Sequence, residues 1–123
     1  FNSAGGLWIT DTGSLAAQGT LEAPIIFTGE QKSKGYWNGI QYINNNSSAN
    51  IIDYAIIEYA GKPGGLTEGL IGFYGNNING SVTNTAFRHS DTNGIWLYKN
   101  SSGDITTGNT FEDIDEDDFY IFN

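Results

Sequence analysis

Short apolar segments recur along this chain at a nearly fixed interval, and that recurrence constrains the fold more than any other feature. Ile40 and Tyr42 come just after Gly39, Ile71 and Phe73 after Gly69, Ile95 and Leu97 after Gly94, and Phe119 and Ile121 after Asp118. The steps between the leading residues are 31, 24 and 24. A second set, Ile57, Phe87 and Phe111, steps by 30 and 24, and a third, Ile52, Val82 and Ile105, by 30 and 23. Three families sharing one period mean three faces per repeat. Each segment alternates inward and outward side chains, as a half-buried strand does. A strand this short cannot bury its face alone. Stacking the repeats at about 4.8 Å pairs every strand with its counterpart above and below and fuses the apolar columns into one core. Every repeat runs in the same sense, so the pairing is parallel. The expectation is an all-β parallel β-helix, or solenoid, of about four to five coils with three short strands per coil.

The remaining composition agrees. Seventeen glycines and two prolines spread along the chain punctuate short extended segments with tight turns. The longest candidate for a helix, Ser14 to Gln18, is too short and too closely bounded by Gly13 and Gly19 to carry conviction. Extra length in the longer repeats falls in the loop-like runs Lys62 to Glu68 and Asn44 to Ser48. A length of 123 residues, with 38% hydrophobic and 14% aromatic residues, supports one folded domain, residues 1–123. The absence of methionine and a start in mid-pattern point to a piece of a longer protein, with neighbouring coils or domains in the same parent chain.

Charge narrows the partners. Five basic residues against 14 acidic ones give a formal net charge of −9, which disfavours nucleic acid, whose phosphates are held by Lys and Arg. There is no cysteine, hence no disulfide framework and no thiolate metal site. No apolar run approaches the roughly 20 residues of a membrane helix, so membrane insertion is not expected.

In detail the chain resembles the right-handed parallel β-helix repeat proteins of the pectate-lyase-like superfamily, in particular bacterial secreted and surface members. The resemblance rests on GSLAAQGTLEAPIIFTG (Gly13 to Gly29), GYWNGIQY (Gly35 to Tyr42), IIDYAIIEYAG (Ile51 to Gly61), SVTNTAF (Ser81 to Phe87), NGIWLY (Asn93 to Tyr98) and GNTF (Gly108 to Phe111). It implies a single-stranded right-handed helix and an extracellular or cell-surface location. It does not select a function, because the superfamily hosts lyases, hydrolases and adhesins. The asparagine ladder of many members is broken here, its places being taken by Ala55, Thr85 and Asn109.

Four groups of residues carry possible chemistry. If Ile57, Phe87 and Phe111 face inward, then Glu58, Arg88 and Glu112 stack outward in one column. Read plainly, this is an exposed charge ladder. Read as chemistry, two carboxylates about 9.6 Å apart match an inverting glycosidase, but an arginine between them keeps both ionised where one must be protonated. No catalytic residues are assigned. Outward aromatics, Trp96 with Tyr120 and Tyr74 with Tyr98 and Phe122, form a second candidate: a strip for stacking sugar rings or a partner protein, or else side chains that stack on one another. The segment Glu112 to Asp118 holds six carboxylates in seven positions. Asp113, Asp115 and Asp117 have the alternate spacing of a calcium loop, without its glycine or terminal Glu, so calcium is possible and a solvated acidic turn is the alternative. His89, the single histidine, has no second histidine or cysteine for a metal or nucleophilic site and reads as a turn or core-edge residue.

The leading functional expectation is a non-catalytic secreted or cell-surface module presenting outward side chains to a glycan or a partner protein. The alternatives are a fragment of a polysaccharide-degrading lyase or hydrolase, and a purely structural stalk segment of an adhesin.

Overall fold

In the computed structural model, residues 1–75, 78–98 and 103–122 are described, the side chain of Tyr98 excepted. These residues form no helix; Ser14 to Gln18, the short helical candidate, ends in strand. Twelve strands follow one another as β1 (Leu7–Thr10), β2 (Ala16–Gln18), β3 (Ile25–Phe27), β4 (Ile40–Ile43), β5 (Ile51–Asp53), β6 (Ala55–Glu58), β7 (Gly69–Tyr74), β8 (Ser81–Thr83), β9 (Ala86–Ser90), β10 (Asn93–Tyr98), β11 (Thr110–Ile114) and β12 (Phe119–Phe122). They assemble into three sheets: β1-β4-β7-β10-β12 (sheet I), β2-β5-β8 (sheet II) and β3-β6-β9-β11 (sheet III). Every pairing is parallel. The chain visits the sheets in turn and returns to sheet I beside the strand it left, the connectivity expected of a parallel β-solenoid.

The register reproduces the repeat residue by residue. Leu7, Ile40, Ile71, Ile95 and Phe119 are successive partners in sheet I. Phe27, Ile57, Phe87 and Phe111 are partners in sheet III. Ala17, Ile52 and Val82 are partners in sheet II. The third family weakens in the next coil, where an isolated Ser81–Asp104 bridge replaces a strand and brings buried Ile105 level with Val82. Ile40, Ile52, Ile57, Ile71, Phe87 and Ile95 are fully enclosed. Each such aliphatic or aromatic side chain contributes about 1.5–3 kcal/mol by leaving water. Rings file along the axis too, Tyr42 on Phe73 at 4.9 Å and Phe87 on Phe111 at 5.1 Å. Burial pushes the Tyr42 phenol well above its ordinary pKa.

Left-handed residues mark the corners in columns. Tyr54, Asn84 and Gly108, with φ of 50°, 49° and 72°, turn the chain between sheets II and III; Tyr59, His89 and Asp113, with φ of 63°, 57° and 55°, sit at the far end of sheet III. Asp11, Asn44 and Gly75 form a third column after sheet I, with φ of 47°, 50° and 102°. Bulky residues pay a steric penalty in this region, and Tyr54 and Tyr59 are held there by ladder bonds on both sides. Tyr54 N–H donates to Thr83 O while its carbonyl accepts from Ile25; Tyr59 N–H donates to Arg88 O while its carbonyl accepts from Tyr36.

The buried asparagines Asn45 and Asn50 are satisfied locally. Asn50 Nδ2 donates to Asn45 Oδ1 at 2.9 Å, Asn45 Nδ2 to Gly13 O at 2.6 Å, and Asn50 Oδ1 accepts from Leu15 N–H at 2.9 Å. Ala55, Thr85 and Asn109 share one register position, so the asparagine ladder is reduced to one member. Asn109 supports the thin third face, donating to the carbonyls of Val82 and Ile105 and accepting from Thr85 N–H.

Candidate functional site

Strand alternation turns one row of sheet I outward: Trp8, Gln41, Gly72, Trp96 and Tyr120 are consecutive partners. The row is bulky at both ends and vanishes at Gly72. There the loop 62–68, between β6 and β7, lies down on the sheet, and a Cβ at Gly72 would collide with the Thr67 side chain. Thr67 and Gln41 are thereby buried. Gln41 Nε2 donates to Asn38 O at 3.2 Å, while Gln41 Oε1 and Thr67 Oγ1 have no hydrogen-bond partner among the described residues. Glu68 ties the loop at its other end, Oε2 accepting from Gly64 N–H at 2.9 Å and the carbonyl accepting from Asn93 Nδ2 at 2.8 Å.

Beyond that loop lie the outward aromatics. Trp96 stacks against Tyr74 at 6.2 Å, Tyr120 at 6.1 Å and Phe122 at 5.6 Å. Trp96 faces outward, but its neighbours leave it only 7% exposed; the accessible aromatic surface belongs to Tyr120 at 38% and Phe122 at 42%. Tyr98 and Phe122 are register partners, whereas Tyr74 pairs with Ile43 in the neighbouring strand. The Tyr98 side chain lies outside the described residues. Leu66 and Glu68 from the loop, Trp96 and Asn93 from β10, and Glu116, Tyr120 and Phe122 enclose an open groove of about 410 Å3. That size lies within the range of small-ligand clefts.

The outward column of sheet III is also in register, Glu58 beside Arg88 beside Glu112. It is looser than a closed ladder. Arg88 Nε is 3.9 Å from Glu112 Oε2, and Glu58 Oε1 accepts instead from Thr28 Oγ1 at 3.0 Å. Next to it Ile26, Ile56, Ala86 and Thr110 make a second outward row, of which Ile56, Ala86 and Thr110 line a mixed groove of about 450 Å3 with Leu21, Tyr54, Asn84 and Arg88.

The acidic segment is partly strand, because β11 runs to Ile114. Asp113 and Asp115 converge on Lys34 Nζ, at 3.2 and 2.6 Å, a lysine 79 and 81 residues away in sequence. His89 stacks on Tyr59 at 4.7 Å and its Nδ1 lies 2.9 Å from Asp113 Oδ2. The hydrogen bond from His89, and then that from Lys34, hold the Asp113 carboxyl below its usual range; Asp115, and then Asp113, raise the Lys34 ammonium. Asp117 is engaged through its backbone, its N–H donating to Asn93 Oδ1 at 3.1 Å and its carbonyl accepting from Gly94. Among the described residues no group of three or more His, Cys, Asp or Glu is arranged to hold a metal ion. No helix among them is long and apolar enough to cross a membrane.

Two parts of this arrangement were missed in the sequence: the groove wall formed by Leu66 and Glu68, and the Lys34 clamp. The first left a signal. A glycine at an outward position between Gln41 and Trp96 marks a place where something must sit. The second left none, since a lysine side chain reaching across coils has no periodicity of its own. Comparison with protein-family profiles, curated proteins and solved structures gave no match.

Proposed function

We propose that this chain is a stretch of right-handed, single-stranded β-helix of the pectate-lyase-like kind, secreted or displayed on a bacterial surface, and that it acts as a non-catalytic module binding carbohydrate. The observation that carries the reading is the groove on sheet I, where accessible Tyr120 and Phe122 stand beside Trp96 under the wall of the 62–68 loop. Sugar rings present flat C–H faces that pack on aromatic rings, and rigid aromatics lose little entropy when they bind. Carboxylates at the rim accept hydrogen bonds from hydroxyl groups.

The test is a glycan array probed with the wild-type chain and with Tyr120→Ala. Tyr120 stacks on Trp96, so a melting curve on the variant verifies that the fold is kept before its binding is read. Binding that is present in the wild type and lost in the variant supports the module. A silent array leaves a partner protein or a structural stalk role in its place.

A polysaccharide-degrading fragment is a second reading, drawn from the Glu58–Arg88–Glu112 column. Glu58 Oε1 accepts from Thr28 Oγ1 and Glu112 faces Arg88, so neither carboxylate stands over a cleft shaped for a sugar bond. Release of sugar from a polysaccharide, lost in Glu58→Gln, would reinstate it.

A further inference from the structure

We infer that the sheet I groove selects glycans built from hexosamine units with free, protonated amines over neutral or acidic polysaccharides. This deepens the carbohydrate reading and rests on it. The argument is charge complementarity at the groove itself. Two carboxylates, Glu68 and Glu116, line it beside Trp96, Tyr120 and Phe122, and none of its described lining residues is a cation.

The described cations are committed elsewhere. Lys34 lies between Asp113 and Asp115, Lys62 Nζ donates to Ser3 O, and Arg88 is on sheet III beside Glu112. Lys32 donates to Thr28 Oγ1 and Gly29 O and sits 5.5 Å above the Tyr59 ring. Among the described residues nothing offsets the groove's carboxylates, and the chain as a whole carries a net charge of −9. Uronate or sulfate groups would meet carboxylates with no described basic residue to receive them.

A protonated amine on a sugar ring satisfies both features of the groove. The ring packs on the aromatic shelf, and the ammonium makes a charge-assisted hydrogen bond to a carboxylate and a favourable contact with a neighbouring π face. An N-acetylated ring has the same shape without the charge. The sheet III groove lacks this pairing, because its described lining includes Arg88 and no carboxylate.

Isothermal titration at low salt and a pH that keeps the amines protonated should compare hexamers of β-1,4-linked glucosamine, N-acetylglucosamine and glucose with a galacturonate hexamer. The glucosamine hexamer should bind about tenfold tighter than the glucose hexamer, the N-acetyl form should match glucose, and galacturonate should not bind. Glu68→Gln with Glu116→Gln should bring glucosamine down to the level of glucose. Glu22→Gln with Glu30→Gln makes the same change in net charge at exposed sites off the groove and should leave the preference intact. The amide oxygen introduced by Glu68→Gln can still accept from Gly64 N–H, and a melting curve on each variant verifies the fold. Equal affinity for glucose and glucosamine, or equal losses in the two double variants, overturns the inference while the carbohydrate reading stands. If no hexamer binds, or Tyr120→Ala leaves binding unchanged, the carbohydrate reading itself falls. Binding of a basic peptide with all sugars inert overturns both.

Discussion

Sheets I and III present outward side chains by the same alternation and coil spacing, yet their outer faces differ in accessibility. On sheet III, Ile26 is 56% exposed and the Arg88–Glu112 pair stands in solvent. On sheet I the ends of the outward row, Trp8 and Tyr120, meet water, but Gln41 and Trp96 on either side of Gly72 point outward and are buried. The 62–68 loop distinguishes them, covering sheet I at Gly72 while the charged column of sheet III stays open to water. Alternation fixes which way a side chain points; a loop from another part of the coil decides whether it meets water. An outward position is therefore not a surface position until the loops are placed.

Truncation tests that contrast most strongly. Trp96→Ala should cost about 3–5 kcal/mol in urea unfolding, as for a large aromatic in a core, although it lies on the outer face. A cost below about 1 kcal/mol would mean that the cover is loose and the two faces alike. Gly72→Ala should cost about 1–3 kcal/mol by pushing Thr67 off the sheet, and should make the 62–68 backbone more accessible to hydrogen exchange. On sheet III, Arg88→Ala should cost no more than about 1 kcal/mol, since the pair it breaks is exposed and long. Ile26→Ser should change stability by about 0.5 kcal/mol or less. If Ile26→Ser proved as costly as Gly72→Ala, sheet III would have a cover of its own.

The smallest effect is the pH response of the Lys34 clamp. Asp113 is lowered from an ordinary value of 3.8, so its contribution is present above that pH and is lost as pH falls through the lower folded value. Lys34 is raised from 10.5, so its contribution holds below that pH and disappears as pH rises through the higher folded value. Lys34→Met should flatten the melting temperature against pH at the acid end; an unchanged profile would mean that the clamp is loose in solution.

How much of this could be read beforehand depends on what each feature rests on. Sheets I and III were legible because Ile71, Ile95, Phe87 and Phe111 are large, inward and repeated, and periodicity reports that directly. The first coil was harder to read. Its inward residues include small Ala17, and the segment over Ala16–Gln18 could pass for the start of a helix until the sheet claimed it. The fourth coil keeps Ile105 inward but has too little ladder around it to form a strand in sheet II. The aromatic positions were legible as directions, since the Trp96–Tyr120 register follows from the 24-residue step. The burial of Trp96 was not, because it depends on how closely Tyr74, Tyr120 and Phe122 stack around it. The convergence of Asp113 and Asp115 on Lys34 was invisible because it depends on the path of a connection, not on a repeat.

The left-handed corners have a consequence for how such a scaffold can change. The connection from β6 to β7 is ten residues long and that from β9 to β10 only two, yet both deliver the next strand to the same place in sheet I. Length is absorbed outside the frame, in the 62–68 segment. A different sequence of different length could be spliced in there, changing what the neighbouring rings recognise while the stacked columns behind them keep their alignment.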